Sequence, residues 1–306
     1  MKTIYARLAI AIALLFGAAL APVVAAPDWP IPPGLKTVEV NGYPITYLEV
    51  GAGVPVILIH GMFVDYRIFT PQMAEFSKTH RVIAVSLRHH YPEPWDGKGG
   101  SYSISQQAAD VADLIRKLSL GKVHLLGHSR GGSVAINTAR QAPELIRTLI
   151  LEDAAGLEPL LADASVGPQR VYGVENLAVW VRGDLEGGDR RKTAQAAWGM
   201  AFGPSAWERF GPEVQQMVTD NIGTVATKTP MDIPAINCDD IRKFRFPVLI
   251  LHGERSPKLY SDMSAAMRQC KPEIAAATIV PDATHMIHRD NSAFFNKAVL
   301  DFMQQN

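Results

Sequence analysis

Short apolar runs alternate with amphipathic stretches along most of this chain. Thr37–Val40 and Pro44–Val50 alternate apolar with polar side chains around Asn41-Gly42, which reads as a β-hairpin with a two-residue turn. Val54–Ile59 and Arg81–Val85 are short apolar runs of the kind found in strands buried on both faces. Tyr66–Lys78, between them, reads as a helix. Ser103-Ile104-Ser105-Gln106 has capping-box spacing, and Ala108, Val111, Leu114, Ile115 and Leu118 then share one helical face, with Gly121 placed to end it. Further strands are expected at Lys122–Leu126, Thr148–Leu151, Pro247–His252 and Ala276–Val280, and Asn291–Met303 closes the chain as an amphipathic helix.

That alternation implies an α/β fold, a mostly parallel sheet of about eight strands with helices on both faces. The rhythm breaks between about Gly156 and Arg245, where helical patterns carry Trp180, Trp198, Trp207, Met200 and Met217 among Gly and Pro punctuation. An insertion of this size between strands reads as a helical cap over the sheet's carboxyl edge. The expected division is a core of residues 27–155 and 246–306 with a cap at 156–245.

Residues 1–26 have a different character. Lys2 and Arg7 precede an apolar stretch from Leu8 to Leu20, and small residues fill 21–26. That order is expected of a secretory signal cleaved near Ala25 or Ala26, so the protein is expected to be exported, periplasmic or secreted. The apolar run is shorter than the ~20 residues of a membrane span, so no stable span is expected after cleavage. Two cysteines, Cys238 and Cys270, follow. An oxidising compartment permits one disulfide between them, and two buried thiols are the alternative.

Composition narrows the function. The 306 residues are 47% hydrophobic, enough for a large core without metals or staples. Thirty basic and thirty acidic residues cancel, and no long basic run occurs, which argues against nucleic-acid partners. Neither G-x-G-x-x-G nor a phosphate loop is present, so no nucleotide cofactor is expected. His285-x-x-His288 and His89-His90 lack the acidic or cysteine neighbours of a metal site, and none is expected there.

The most informative motif is Gly127-His128-Ser129-Arg130-Gly131, set between the strand at 122–126 and a helix opening at Gly132. A serine on a sharp strand-to-helix turn occupies strained backbone, and small neighbours relieve it. The helix start favours negative charge developing beside Ser129. A plain glycine-serine turn is the bland alternative, and the flanking strand and helix argue for a nucleophile.

His60-Gly61 after one strand, the Gly127–Gly131 motif, and Ala283-Thr284-His285 after the last strand occur in an order that resembles the α/β-hydrolase superfamily, in its cap-bearing serine branch. The resemblance covers nearly all of the chain after the leader. It implies Ser129 as nucleophile, His285 as base, and the N–H groups of Met62 and Arg130 as oxyanion donors. His288 is the nearest rival base. Many relatives carry aspartate after the strand that is Pro247–His252 here, but this chain has Ser256 at that place. Some relatives take the acid from the strand after the nucleophile's helix, where Asp153 stands. Asp153 is therefore preferred, with Glu254, Asp262 and Glu152 as alternatives. The expected activity is hydrolysis of a carboxylic ester or lactone through an acyl-enzyme, on a small-molecule substrate with an apolar part. Carbon–carbon bond hydrolysis or cofactor-free perhydrolysis is the alternative. A non-catalytic binding protein on this fold is the third reading.

Overall fold

A computed structural model describes residues 30–227, 234–274 and 277–306. The expected leader, residues 1–26, lies outside them, as does Ala276. The hairpin is β1 (Leu35–Val40) and β2 (Tyr43–Val50), joined through Asn41 and Gly42 at φ 49° and 73°. Both angles are left-handed, as a type I′ turn requires. β3 (Val54–Ile59), α1 (Thr70–Phe76), β4 (His80–Ser86), α2 (Ile104–Lys117), β5 (Val123–His128), α3 (Arg130–Gln141) and β6 (Ile146–Glu152) follow in strict alternation. α4 (Val166–Leu185), α5 (Arg190–Phe202), α6 (Ala206–Arg209) and α7 (Pro212–Val225) then interrupt it. The chain returns through α8 (Cys238–Arg242), β7 (Val248–Gly253), α9 (Lys258–Cys270), β8 (Thr278–Val280), α10 (Ile287–Asp290) and α11 (Ser292–Gln305).

Sequence expectations and observed elements differ mainly at boundaries. The stretch expected as one helix from Tyr66 is a 3₁₀ turn, Tyr66–Phe69, leading into α1. α2 starts where expected, with the Ser103 side chain accepting from the Gln106 N–H. It stops at Lys117, before Gly121, because Ser119 turns left-handed at φ 51° and Leu120 N–H caps the Ile115 carbonyl.

The eight strands form one sheet in the order β1-β2-β4-β3-β5-β6-β7-β8, antiparallel at β1–β2 and β2–β4 and parallel thereafter. Period-two alternation divides the core. Ile57, Ile59, Leu125 and Leu149 pack with α2, α3 and α9 on one face, and Val56, Leu58, Leu126 and Ile150 with α1 and α11 on the other. The second cluster extends into α5 and α7 through Trp198, Val214 and Met217, so the inserted helices share the core. Cys238 and Cys270 are bridged, tying α8 to α9 at a Cα–Cα distance of 4.8 Å. Parallel strands send all their carboxyl ends to one edge. The loops leaving β3, β5, β6, β7 and β8 therefore converge.

Candidate active site

Ser129 follows β5 directly and opens α3 with φ 52° and ψ −121°, outside the regions most side chains occupy. Neighbouring backbone holds it there. Its N–H donates to the Glu152 carbonyl at 3.0 Å, and its own carbonyl accepts from Gly132 and Ala155 at 2.9 Å each. A Cβ on Gly131 would sit 2.4 Å from the His60 carbonyl oxygen, and one on Gly132 2.3 Å from the Ala154 Cβ. Glycine at these positions is what lets α3 begin so close to β3 and to the end of β6.

The loop after β8 carries His285 onto this turn. His285 Nε2 lies 2.9 Å from Ser129 Oγ, and Nδ1 lies 3.1 Å from Asp153 Oδ2. A carboxylate only accepts, so Nδ1 bears the proton and Nε2 is the acceptor for the Ser129 hydroxyl. The imidazole stacks on Tyr260 of α9 (centroids 4.7 Å apart, planes at 17°) and on Phe202 of α5 (5.8 Å, 22°). The His285 carbonyl accepts from His128 Nε2 at 2.9 Å. Ring and backbone are thus both fixed.

Asp153 is fully buried at the end of β6, in left-handed backbone at φ 36°, with its N–H bonded to the Leu251 carbonyl of β7 at 3.1 Å. Burial alone would raise its pKa. Side-chain hydrogen bonds from His252, His285 and Ser256 outweigh that and hold it below the ordinary carboxylate value.

The other candidate acids point elsewhere. Glu254 accepts from the Asp282 N–H at 2.8 Å on the exposed surface, and Asp262 pairs with Lys258. Glu152 is the last residue of β6, and Asp153 lies just past it in left-handed backbone, so the two carboxylates meet different partners. Its Oε1 accepts from the His288 N–H at 3.0 Å and from His288 Nδ1 at 2.6 Å, both side chains being fully buried. His288 is therefore turned away from Ser129. Burial pushes the Glu152 carboxyl up to about 7, and pushes His128 and His288 down to about 3. Glu152–His288 is accordingly a neutral hydrogen-bonded pair between about pH 3 and about pH 7.

That arrangement has a measurable consequence. A carboxyl raised on folding contributes stability below its ordinary value of 4.5, and loses it as pH climbs through about 7. Glu152→Gln cannot ionise. Its Tm relative to the parent is expected to rise between about pH 5 and about pH 8. Parallel Tm curves for the two proteins would show that Glu152 does not titrate in that window.

Met62, in the loop after β3, and Arg130, the first residue of α3, line the same cavity as Ser129. Helix-start N–H groups such as that of Arg130 point outward from the helix end. The Arg130 guanidinium is buried, bonded to Gln107 Oε1 and the Tyr102 carbonyl and lying 4.3 Å over the Tyr102 ring. The cavity measures about 660 Å³ and opens over Ser129 and His285. Leu177 and Trp180 of α4, Trp198, Met200 and Phe202 of α5, and Leu259 of α9 contribute apolar side chains to its wall.

Sequence reasoning did not find His252, Ser256 as a partner of Asp153, or the Glu152–His288 pair. The segment His252-Gly253-Glu254-Arg255-Ser256 held the only signal, and only its missing aspartate was legible.

Known proteins agree with this architecture. Residues 56–298 match the model of the alpha/beta hydrolase family. The 2-(acetamidomethylene)succinate hydrolase of Mesorhizobium japonicum is 23% identical over 282 residues, 88% of this chain and 94% of that protein. Serine hydrolase BPHL of Mus musculus is 25% identical over 281 residues, covering 87% and 85%. Among solved structures, a thermophilic esterase from Thermogutta terrifontis superimposes with a TM-score of 0.70 at 24% identity, over 89% of this chain and 97% of that one. With the family model spanning most of its length and the fold in agreement, the chain belongs to the alpha/beta hydrolase family and is a hydrolase.

Proposed function

We propose that the protein is a serine hydrolase of carboxylic esters or lactones, with Ser129 as nucleophile, His285 as general base and Asp153 as the acid that orients it. The observation that carries this reading is the unbroken relay from Ser129 Oγ through His285 to Asp153, opening into an apolar cavity. Ser129 Oγ attacks the substrate carbonyl while its proton passes to His285 Nε2. Asp153 stabilises the imidazolium through Nδ1. The N–H groups of Met62 and Arg130 receive the developing oxyanion, each worth ~3 kcal/mol in comparable sites. His285 then returns the proton to the leaving alcohol, and water repeats the sequence on the acyl-enzyme.

The wall of the cavity favours an uncharged substrate with an apolar acyl or alcohol part. Among the described residues lining it, Arg130 is the sole lysine or arginine, and its guanidinium is already engaged by Gln107 Oε1 and the Tyr102 carbonyl. A dicarboxylate such as the Mesorhizobium relative's name implies finds no described cation there to offset its desolvation. Export is part of the same proposal, supported by the leader-like start and by a disulfide of the kind that persists in oxidising compartments.

The test is a panel of neutral aryl esters of graded acyl length, lactones, succinyl half-esters and vinylogous diketones. Neutral esters or lactones are expected to be turned over best. Cleavage of diketones with no ester turnover would favour carbon–carbon hydrolysis on the same residues. His285→Ala is expected to abolish turnover. His288→Ala, which removes the partner of Glu152, is expected to keep measurable turnover while losing stability. Comparable residual kcat in the two folded variants would remove His285 from the base role.

A further inference from the structure

Both oxygens of the Asp153 carboxylate are occupied. Oδ2 takes His285 Nδ1 and also the Ser256 hydroxyl, while Oδ1 takes His252 Nδ1 at 3.1 Å. The three donors come from different places: the loop after β8, the turn after β7, and the end of β7 itself. Ser256 is held by its own N–H bond to the Gly253 carbonyl at 3.0 Å, closing the turn that follows β7. His252 is buried, and because Asp153 only accepts, its proton sits on Nδ1. Its Nε2 is buried with no hydrogen-bond partner among the described residues. A side chain that leaves one ring nitrogen unmatched to satisfy one carboxylate oxygen is arranged for that oxygen.

Resting on the triad reading above, we propose that Ser256 and His252 are positioning residues for Asp153: they fix the carboxylate plane and draw off part of its charge, and so set how strongly it stabilises the protonated His285. The effect is electrostatic. A carboxylate shares its charge among the donors it accepts from, so each added donor leaves less for the imidazolium. It is also geometric. Asp153 stands on left-handed backbone, and one donor from β7 and one from the turn after it restrict its side chain to the rotamer that meets Nδ1. The other titratable groups around this site are Glu152, His128, His288 and Tyr260, whose hydroxyl lies 3.5 Å from His285 Nε2. Burial keeps His128 neutral across the working range, and Glu152 gains charge only towards neutral pH and above. Comparing variants at matched pH cancels that background.

The experiment measures kcat, KM and the acid limb of the pH profile of kcat/KM for Ser256→Ala, Ser256→Thr and His252→Phe, with Asp153→Asn alongside, using a neutral ester that the parent hydrolyses. Removing a donor returns charge to His285. The acid limb of Ser256→Ala and of His252→Phe is therefore expected to move to higher pH by roughly half a unit to one unit. Their kcat is expected to fall about tenfold as the carboxylate loosens, the scale of one charge-assisted hydrogen bond, with KM within about twofold. Ser256→Thr keeps the hydroxyl and is expected to recover most of kcat with the parent's pH profile. Both variants lowering Tm while kcat and the acid limb match the parent would make the two residues mere packing, and would overturn the proposal even if Asp153→Asn is crippled. Full activity in Asp153→Asn would overturn the triad reading itself, and this proposal with it. His252→Phe keeps a planar ring but enlarges it in a buried position, whereas Ser256 lies in a partly exposed turn, so the Ser256 variants are expected to fold and carry the test if His252→Phe does not.

Discussion

Ser129→Ala is expected to lower kcat by about a million-fold while leaving fold and stability nearly unchanged. The size follows from position. Ser129 Oγ is the atom within 2.9 Å of His285 Nε2, so its loss removes both the covalent step and the proton that His285 is placed to receive. What remains is the oxyanion donors and the binding cavity, which act on water's attack alone. Stability is expected to hold because the hydroxyl makes no capping bond to α3, and the turn is kept by backbone bonds to Glu152, Gly132 and Ala155. A fluorophosphonate should label the parent at Ser129 and leave the variant unlabelled. Labelling elsewhere in folded, active protein, or retained turnover in the variant, would end the nucleophile assignment.

Elements set by local chain geometry were legible in sequence. The Asn41-Gly42 hairpin, the buried parallel strands and the Ser129 turn each need particular residue types within a few positions, and those types recur in one linear window. Boundaries were less legible. Where α2 stops depends on Ser119 adopting a left-handed angle, which its residue type does not announce as Gly121 does. The pairings that surround the site were not legible at all. His252 and Asp153 are 99 residues apart, and Glu152 and His288 are 136 apart. Only the β6–β7 pairing and the fold of the loop after β8 bring them together. Glu152 and Asp153 look alike as neighbouring acids. The end of β6 decides between them: Glu152 is still on the strand and meets His288, while Asp153 turns left-handed beyond it and meets the imidazole of His285.

Asp153→Asn is the second large expected effect, a loss of two to four orders of magnitude in kcat with a smaller change in KM; in serine proteases the corresponding charge removal costs about 10⁴. Asparagine keeps the size of the side chain but offers an N–H₂ group toward donors. With the amide nitrogen in place of Oδ2, His285 Nδ1 and Ser256 Oγ both lose their acceptor, and in place of Oδ1, His252 Nδ1 loses it, in a fully buried site. If the loser is His285, its ring can keep a bond to the amide only by moving its proton to Nε2. That is the wrong tautomer to accept from Ser129. The imidazolium formed during attack also loses the charge that stabilised it, so the penalty falls on the transition state more than on substrate binding. Glu254→Gln and Asp262→Asn are expected to stay within about tenfold of the parent. The first bonds the Asp282 N–H and the second pairs with Lys258, both away from His285. Near-full activity in Asp153→Asn with a crippled Glu254 or Asp262 variant would move the acid to the β7 side and make Ser256 a coincidental neighbour. The reverse pattern would assign the acid to β6 and give Ser256 a position beside it that an aspartate there could not share without like-charge repulsion.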